Sequence, residues 1–375
     1  MILTQCAVCA TELGLSLGKK CGRCSTRYCG PECQKKHWEE GGHDKLCKLI
    51  KKAGGAEQYN ANQKYTAAVA VAAEACAEDT KGQTCFICTQ ALHWKTKEGL
   101  VRGCSCRGTA GLAHVSCLAE QAKILVAEAE ENNLAQKAFE ARWAHWYTCS
   151  LCEQEYHGVV RCALGWACWK MYLGRPEGDF RRLLAMCQLG NGLAAAQQYA
   201  DALSVQEAEL STLRRIGITD QAILGVQGNI ANTYRALGRF EEALSLRRDV
   251  YFGLFRLHGE EHGETLREAG NYVNLLNQLK CFKEVKTLMR KILPVARRVL
   301  SESNELTLKM RSNYAMALYR AEGATLDDFR AAATTLEETT LVARRVLGGA
   351  HPVVASIEKS LHNARGLLAA ATRSR

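Results

Sequence analysis

The sequence predicts a mainly α-helical protein in which two small cysteine-rich modules precede a solenoid of helix-turn-helix repeats. Three observations carry this expectation. Proline is scarce, with 4 residues in 375, and aromatics make up only 7% of an alanine- and leucine-rich chain. Of the 19 cysteines, 17 lie before residue 170. In the second half, paired asparagines recur at a spacing of 42 residues. The hydrophobic fraction of 47% is near the globular average, which argues against disorder or low complexity. The length suits about two to three domains.

Dense cysteine means either a disulfide framework or metal binding. The start, Met1-Ile2-Leu3-Thr4-Gln5-Cys6, has neither a basic opening nor an apolar stretch of leader length. The longest fully apolar run near it, Ala67 to Ala73, is far short of the ~20 residues that span a bilayer. A secreted or membrane-spanning protein is therefore not expected. A reducing compartment, cytoplasmic and/or nuclear, is the expectation, and there thiols serve metals or catalysis.

The first module is read as residues 1–52. It contains Cys6-x2-Cys9, Cys21-x2-Cys24, Cys29-x3-Cys33 and His43-x3-Cys47. A tight turn or one helical turn aims both donors of each pair at one ion. Eight donors make two tetrahedral zinc sites. So short a segment holds little core, so each ion supplies folding free energy (~10–16 kcal/mol per structural site). Order and spacing resemble the MYND zinc finger, with Tyr28-Cys29, Gln34, Trp38 and the closing His43 and Cys47 in place. The resemblance implies interleaved sites: Cys6, Cys9, Cys29 and Cys33 hold one zinc, and Cys21, Cys24, His43 and Cys47 the other. It also implies that Gln34 and Trp38 contact short, often proline-containing peptides. The family's frequent serine between the third and fourth cysteines is absent, and Gly22 lies there. Trp38 packing beneath the zinc sites is the alternative to peptide contact, and His37 is read as an exposed helix residue rather than a ligand.

Residues 53–80 are read as a helical linker, with the Ala-rich stretch Tyr65 to Glu78 as its helix. The second module, residues 81–160, contains Cys85-x2-Cys88, Cys104-x-Cys106, His114-x2-Cys117 and Cys149-x2-Cys152. These are again eight donors and two zinc sites, four per chain in all. PHD fingers share the ligand order, but Cys-x-Cys-x7-His resembles the RING-CH variant of the RING finger. That resemblance implies cross-bracing: Cys85, Cys88, His114 and Cys117 at one site, Cys104, Cys106, Cys149 and Cys152 at the other. It implies a surface that recruits a ubiquitin-conjugating enzyme, with Ile87 as the apolar contact; a buried core role is the alternative for Ile87. Two positions depart from the pattern. Gln121 stands where a tryptophan is common, and Glu153 where a basic residue is. An ionised carboxylate donates no hydrogen bonds. Between the last ligand pairs, Leu118 to Ala144 lacks Gly and Pro and is expected to be helical, with Leu125, Ala129, Leu134, Ala138 and Phe139 following helical spacing approximately. Trp143 and Trp146 are expected beside the zinc core. Residues 161–178 are read as a linker.

Residues 179–375 carry the repeats, about four to five helix pairs. Asn229, Asn271 and Asn313 lie 42 apart, with Asn232 and Asn274 three residues after the first two. Nine residues earlier stand Asp220, His262 and Asn304, and His351-Pro352 opens a further copy. In the clearest repeat, Gly228 to Ala236 is a first helix with Ile230, Tyr234 and Leu237 inward, Leu-Gly-Arg (237–239) the turn, and Glu241 to Leu254 a second helix with Ala243 at the crossing. The string Leu-Gly-Arg-Phe-Glu-Glu-Ala-Leu and the twice-seen Arg-Arg-Val-Leu resemble the tetratricopeptide (TPR) repeats of kinesin light chains. The resemblance implies a concave face on which Asn229, Asn232, Asn271, Asn274 and Asn313 bond a peptide backbone, with Arg235 and Arg320 adding charge recognition. Solvated asparagines, or asparagines bonded to neighbouring helices, are the alternative.

Glycine-rich phosphate loops and SET-type cofactor motifs are absent from the sequence. Cys76, Cys162, Cys168, Cys187 and Cys281 are expected to pack as small apolar residues. The functional expectation is a zinc-binding protein-interaction factor, a RING-type ubiquitin ligase or ligase subunit selecting proteins through its TPR and MYND surfaces. The alternatives are a non-catalytic adaptor and, least favoured, a nucleic-acid binder. The formal charge of +10 is what raises nucleic acid at all. Ligation lowers it to about +4, because metal-bound thiols are deprotonated, and leaves most of the positive charge on the repeats. An acidic peptide is then the better partner.

Overall fold

The computed structural model describes residues 6–11, 13, 18–349 and 351–373. Sixteen α-helices and one two-stranded sheet are formed among them. The chain divides into two compact units, Met1–Ile218 and Thr219–Arg375.

The first unit opens with β1 (Lys19–Lys20) and β2 (Arg27–Tyr28), antiparallel with Lys19 opposite Tyr28. Helices α1 (Pro31–Glu39) and α2 (His43–Lys52) follow. Proline at the first position of α1 suits a site where its missing N–H is not needed. The small core here is Leu13, Tyr28, Ile50 and Ala56 packed around Cys6, Cys21, Cys24 and Cys47.

Two segments that read as connectors are core elements instead. Helix α3 (Ala56–Ala75) buries Ala61, Tyr65, Val69 and Ala72, and short α4 (Ala77–Thr80) follows it. After the second module's loops come α5 (Val115–Glu131), α6 (Gln136–Trp143) and a 3-10 turn at Ala144–Trp146. The helix expected over Leu118 to Ala144 is therefore two helices. Asn133 takes a left-handed φ of 48°, a conformation asparagine tolerates at a helix end, and Leu134 falls exposed in the break.

Helix α7 (Gly158–Tyr172) occupies the stretch read as the 161–178 linker and is buried on nearly every face. It packs on α3 and on α8 (Phe180–Ala195), and α8 packs on α9 (Tyr199–Ile216). Glycine permits the α7–α8 contact. A Cβ on Gly165 would lie 2.9 Å from the Gln188 carbonyl oxygen, and one on Gly192 would lie 2.8 Å from that of Arg161. Trp143 and Trp146 join Tyr172 beneath the second module, with ring centroids 5.3 and 5.9 Å from the tyrosine. Cys162 and Cys168 are buried in this core as apolar residues, and Cys76 lies at its edge with its thiol on the Arg102 carbonyl. The α8–α9 hairpin thus clusters with the zinc-finger half, so the unit boundary falls at 218/219 rather than at 178/179.

The second unit is helical hairpins throughout: α10 (Asp220–Ala236) with α11 (Phe240–His258), α12 (Gly263–Gln278) with α13 (Phe282–Leu300), α14 (Glu305–Arg320) with α15 (Leu326–Leu347), and a last helix α16 (Pro352–Arg373). Alternate helices α12, α14 and α16 also pack on one another, which makes the stack a solenoid. The repeat register appears as helix caps. The side chains of His262, Asn304 and His351 each accept the backbone N–H two residues on. Asp220 departs from this, being the first helical residue after Thr219. Ala243 is fully buried where α10 and α11 meet, as expected, and Gly238 turns the chain with φ 76°. Leu237, expected inward, is exposed because it sits at the helix end, and Val226 and Thr233 with Ile230 form the buried stripe.

Candidate metal centres and groove

Four Cys-x2-Cys pairs begin on one backbone motif. In each, the first cysteine's N–H donates to the carbonyl five residues on, and the N–H four residues on donates back to the cysteine carbonyl. The residue at that fourth place is left-handed: Ala10, Ser25, Thr89 and Glu153, with φ between 56° and 61°. The turn leaves both thiols on one side. It recurs at His93 to Glu98, where Thr96 Oγ1 lies 2.8 Å from His93 Nδ1 in place of a second ligand.

The turns meet partners from elsewhere. Donor atoms within 4.8 Å of one another gather as Cys6, Cys9, Cys29 and Cys33; Cys21, Cys24, His43 and Cys47; Cys85, Cys88, His114 and Cys117; and Cys104, Cys106, Cys149 and Cys152. These are the interleaved and cross-braced groupings that the resemblances imply. The spacings fit an ion. Zinc with bonds of about 2.3 Å to sulfur requires tetrahedral S···S edges of about 3.8 Å. The structure has Cys9–Cys29 at 3.5 Å, Cys21–Cys47 at 3.9 Å and Cys106–Cys149 at 3.8 Å. Histidine edges are shorter, as a shorter Zn–N bond requires: Cys24 Sγ to His43 Nε2 and Cys88 Sγ to His114 Nδ1 are both 3.4 Å. These sulfurs are far too distant for a disulfide. In the first cluster, hydrogen bonds from Thr11 push Cys9 down to about 6, while Cys29 and burial push Cys33 up to about 12. Thiols this close cannot all ionise together without a cation among them.

Outer contacts orient the donors. Thr11 and Thr26 hydroxyls lie 3.0 and 3.1 Å from the sulfurs of Cys9 and Cys24. His114 Nε2 faces the Ala91 carbonyl at 3.4 Å, leaving Nδ1 for an ion. His37 is not a ligand, as expected, but neither is it an exposed residue. It stacks on His43 at 4.9 Å and its Nδ1 bonds the Tyr28 hydroxyl at 3.0 Å. Burial, then the His43 charge, lowers its pKa. No signal in the ligand spacing marks His37, because it holds the ring of a ligand rather than the ion.

The expected contact residues fall at the surface. Trp38 is 45% exposed, with only an edge toward His43 at 5.8 Å, so it does not pack beneath the sites. Gln34 is half-buried on the same helix. Ile87 is 38% exposed and so is no core residue; its N–H points to Cys85 Sγ at 3.4 Å. Leu151, in the equivalent turn of the last ligand pair, and Trp94 are exposed too.

In the second unit, Asn271, Asn274 and Asn313 line a groove of about 390 Å³ between α12, α14 and α16. Its floor is Met310, Met316 and Ile357, and Arg267 and Lys309 bring positive charge. The sequence reading missed these two cations, although they too are 42 residues apart. Asn229 is half-buried and Asn232 exposed on α10, and neither lines this groove. Arg235 is exposed on α10. Arg320 lies at another hollow, with Tyr319, His362 and Asn363. A buried ion pair backs the asparagines. Arg247 Nη1 bonds both Glu268 oxygens, at 2.7 and 2.8 Å, with both side chains under a tenth exposed. Arg247 also donates to Asn232, and Asn271 donates to Glu268 at 3.1 Å. Bonding to a neighbouring helix, the alternative role for the asparagines, therefore holds for Asn232, whereas the bond from Asn271 to Glu268 stays within α12. Glu268→Ala leaves Arg247 buried and unpaired, and should cost about 3 kcal/mol. Arg247→Met with Glu268→Leu should restore most of it. Urea midpoints of the two variants check this.

Comparison with known proteins agrees with the two modules. Residues 6–47 match the family model of the MYND finger, and residues 85–136 that of the RING-variant domain. The second match ends before Cys149 and Cys152, which the structure nevertheless joins to Cys104 and Cys106. No curated protein matches the chain. Similar solved structures include a Podosopora anserina kinesin light chain-type protein with nearly identical TPR-like repeats, at 17% identity and a TM-score of 0.42, covering 62% of this chain and 97% of that one. Another is BtubC (BKLC) from P. vanneervenii, at 13% identity and a TM-score of 0.41, covering 69% of this chain and 90% of that one. No helix among the described residues is long and apolar enough to cross a membrane.

Proposed function

We propose that this chain is a zinc-loaded protein-interaction factor acting in ubiquitin transfer. The helical groove and the MYND surface select a protein, and the RING-variant module presents it to a ubiquitin-conjugating enzyme. The observation that carries this is the pair of exposed apolar residues Ile87 and Leu151, each held in a ligand turn of the cross-braced module. When bound, zinc fixes these turns and fills all its positions with protein donors, so it offers no open site for chemistry. Catalysis is then positional: the chain raises the local concentration of target and conjugate and forms no covalent intermediate of its own. Target binding falls to Asn271, Asn274 and Asn313, whose amides offer both donor and acceptor to an extended backbone. Arg267 and Lys309 favour acidic residues in that peptide. A cytoplasmic and/or nuclear location goes with this reading.

The test is ubiquitin-chain formation by the zinc-loaded full chain with a panel of conjugating enzymes. Chains should form, and Ile87→Ala should cut the rate about tenfold, the effect of about 1.4 kcal/mol at an interface. No chains with any enzyme, and no effect of Ile87→Ala, would overturn the ligase reading. The adaptor reading then stands in its place, and Gln121 and Glu153 favour it. Both readings share the groove. Asn271→Ala with Asn274→Ala should weaken an acidic peptide's binding about tenfold or more, at about 1 kcal/mol per lost hydrogen bond. Fluorescence anisotropy with a labelled acidic peptide reads it.

A further inference from the structure

A cluster in the second unit lies apart from the groove and from the cysteine sites. His258 ends α11, His262 caps α12, and Glu264 lies in the first turn of α12. One donor atom from each stands within 4.8 Å of the others. The two rings stack at 4.3 Å. Gln221 holds the carboxylate through Glu264 Oε2 at 3.1 Å. His258 Nε2 is buried with no hydrogen-bond partner among the described residues.

The repeats supply an internal control. His262, Asn304 and His351 occupy one register, verified by their shared capping bond. In that register, Ile216, Leu300 and Leu347 stand where this repeat has His258. Ala222, Leu306 and Val353 stand where it has Glu264. Both apolar positions flanking the capping residue have thus become ligand types in one repeat only. A packing role explains neither change, since apolar residues fill both places elsewhere. Placing a buried nitrogen without a partner is costly unless something binds it.

We propose that His258, His262 and Glu264 form a fifth metal site, for a divalent transition ion of the kind that imidazole and carboxylate suit. The donor set is two nitrogens and one oxygen, with the remaining positions left to water, because His262 is exposed. The site is open and exchangeable, unlike the closed cysteine clusters. Binding ends the 3.3 Å contact from the Glu264 N–H to His262 Nδ1, since a neutral ring ligated through either nitrogen has no free acceptor left. The α11 carbonyl end beside His258 favours the cation. The ion would tie α11 to α12 across their loop.

The experiment titrates Zn2+ by calorimetry into the full chain with its cysteine clusters already loaded. Wild type should bind one equivalent more than His258→Leu, a variant that installs the residue two of the other repeats carry. Glu264→Gln should weaken that equivalent about tenfold or more. Added Zn2+ should raise the melting temperature of wild type but not of His258→Leu. Because the reading is a difference between variants, it does not depend on how many cysteine clusters fill. Equal stoichiometry and affinity in wild type and both variants would overturn the site, and would leave the histidines as a stacked, capping pair. Should His258→Leu fold poorly, Glu264→Gln decides by itself.

Discussion

Stripping zinc with a strong chelator is expected to unfold the first module completely and the second only in part, leaving α10 to α16 folded. Four of the eight buried core residues of the first module, Cys6, Cys21, Cys24 and Cys47, are themselves ligands. Without the ions, Leu13, Tyr28, Ile50 and Ala56 remain, too little apolar surface to offset chain entropy. Each lost site removes roughly 10–16 kcal/mol of apparent folding free energy. The second module differs. Cys85, Cys104, Cys117 and Cys149 sit on a continuous core with Val69, Val126, Trp146 and Leu164 from α3, α5, the 3-10 turn and α7. Chelation should release its ligand loops and leave those helices in place. Hydrogen exchange with and without chelator reads this directly: amides 18–56 lose protection, 85–110 lose it in part, and 158–172 keep it. Unchanged protection over 18–56 after complete metal removal would sink the idea. Metal analysis should find four zinc ions in the cysteine clusters, and two or fewer would mean that one module does not bind.

The second large effect is a pH dependence set by Glu209. This residue lies on α9 with its carboxyl buried and Oε2 unpartnered among the described residues. Burial pushes it up to about 8 from the ordinary 4.5. On the facing helix α8, the Cys187 thiol is pushed up by burial and by the Glu209 charge, and Arg161 on α7 opposes that rise. The sign follows from proton counting. Between pH 4.5 and about 8 the unfolded chain has lost the Glu209 proton and the folded chain keeps it. Stability therefore falls as pH rises through this window and levels off above it. The full shift is worth about 5 kcal/mol. Glu209→Gln removes the slope, so the variant should match wild type near pH 4 and exceed it by several kcal/mol near pH 9, an amount on the order of that shift. Urea unfolding of both proteins across this range checks it. Parallel curves would show that Glu209 ionises normally.

Much of this was legible because metal ligation is a local matter of spacing. A Cys-x2-Cys turn closes on itself through hydrogen bonds between residues four and five apart, and the other four pairs are spaced by one to three residues, so all sixteen cluster residues could be named from the chain alone. The repeats were legible for a similar reason. A cap and a helical face return at 42 residues whenever one hairpin stacks on the next. The groove was harder. Asn271, Asn274 and Asn313 line it, yet Asn229 and Asn232 share their register and do not. The groove forms only where α12, α14 and α16 lie side by side, and register says nothing about which neighbours enclose a surface. The misread connectors have another cause. Apart from Arg161 and Lys170, helix α7 is apolar on every side, so it lacks the one-sided periodicity that marks a surface helix, and only a surrounding core explains it.

The sequence by itself determined the helical class, the two four-pair ligand modules and the repeating hairpins, because each rests on interactions within a few turns or on a strict period. Tertiary structure alone decided the rest. It made α3 and α7 the shared core beneath the second module, and set α8 and α9 with that half. It placed Ile87 and Trp38 at the surface, and it buried Glu209 and the Arg247–Glu268 pair. These outcomes depend on contacts between residues far apart in the chain, where burial and charge are set by what packs opposite rather than by what lies alongside.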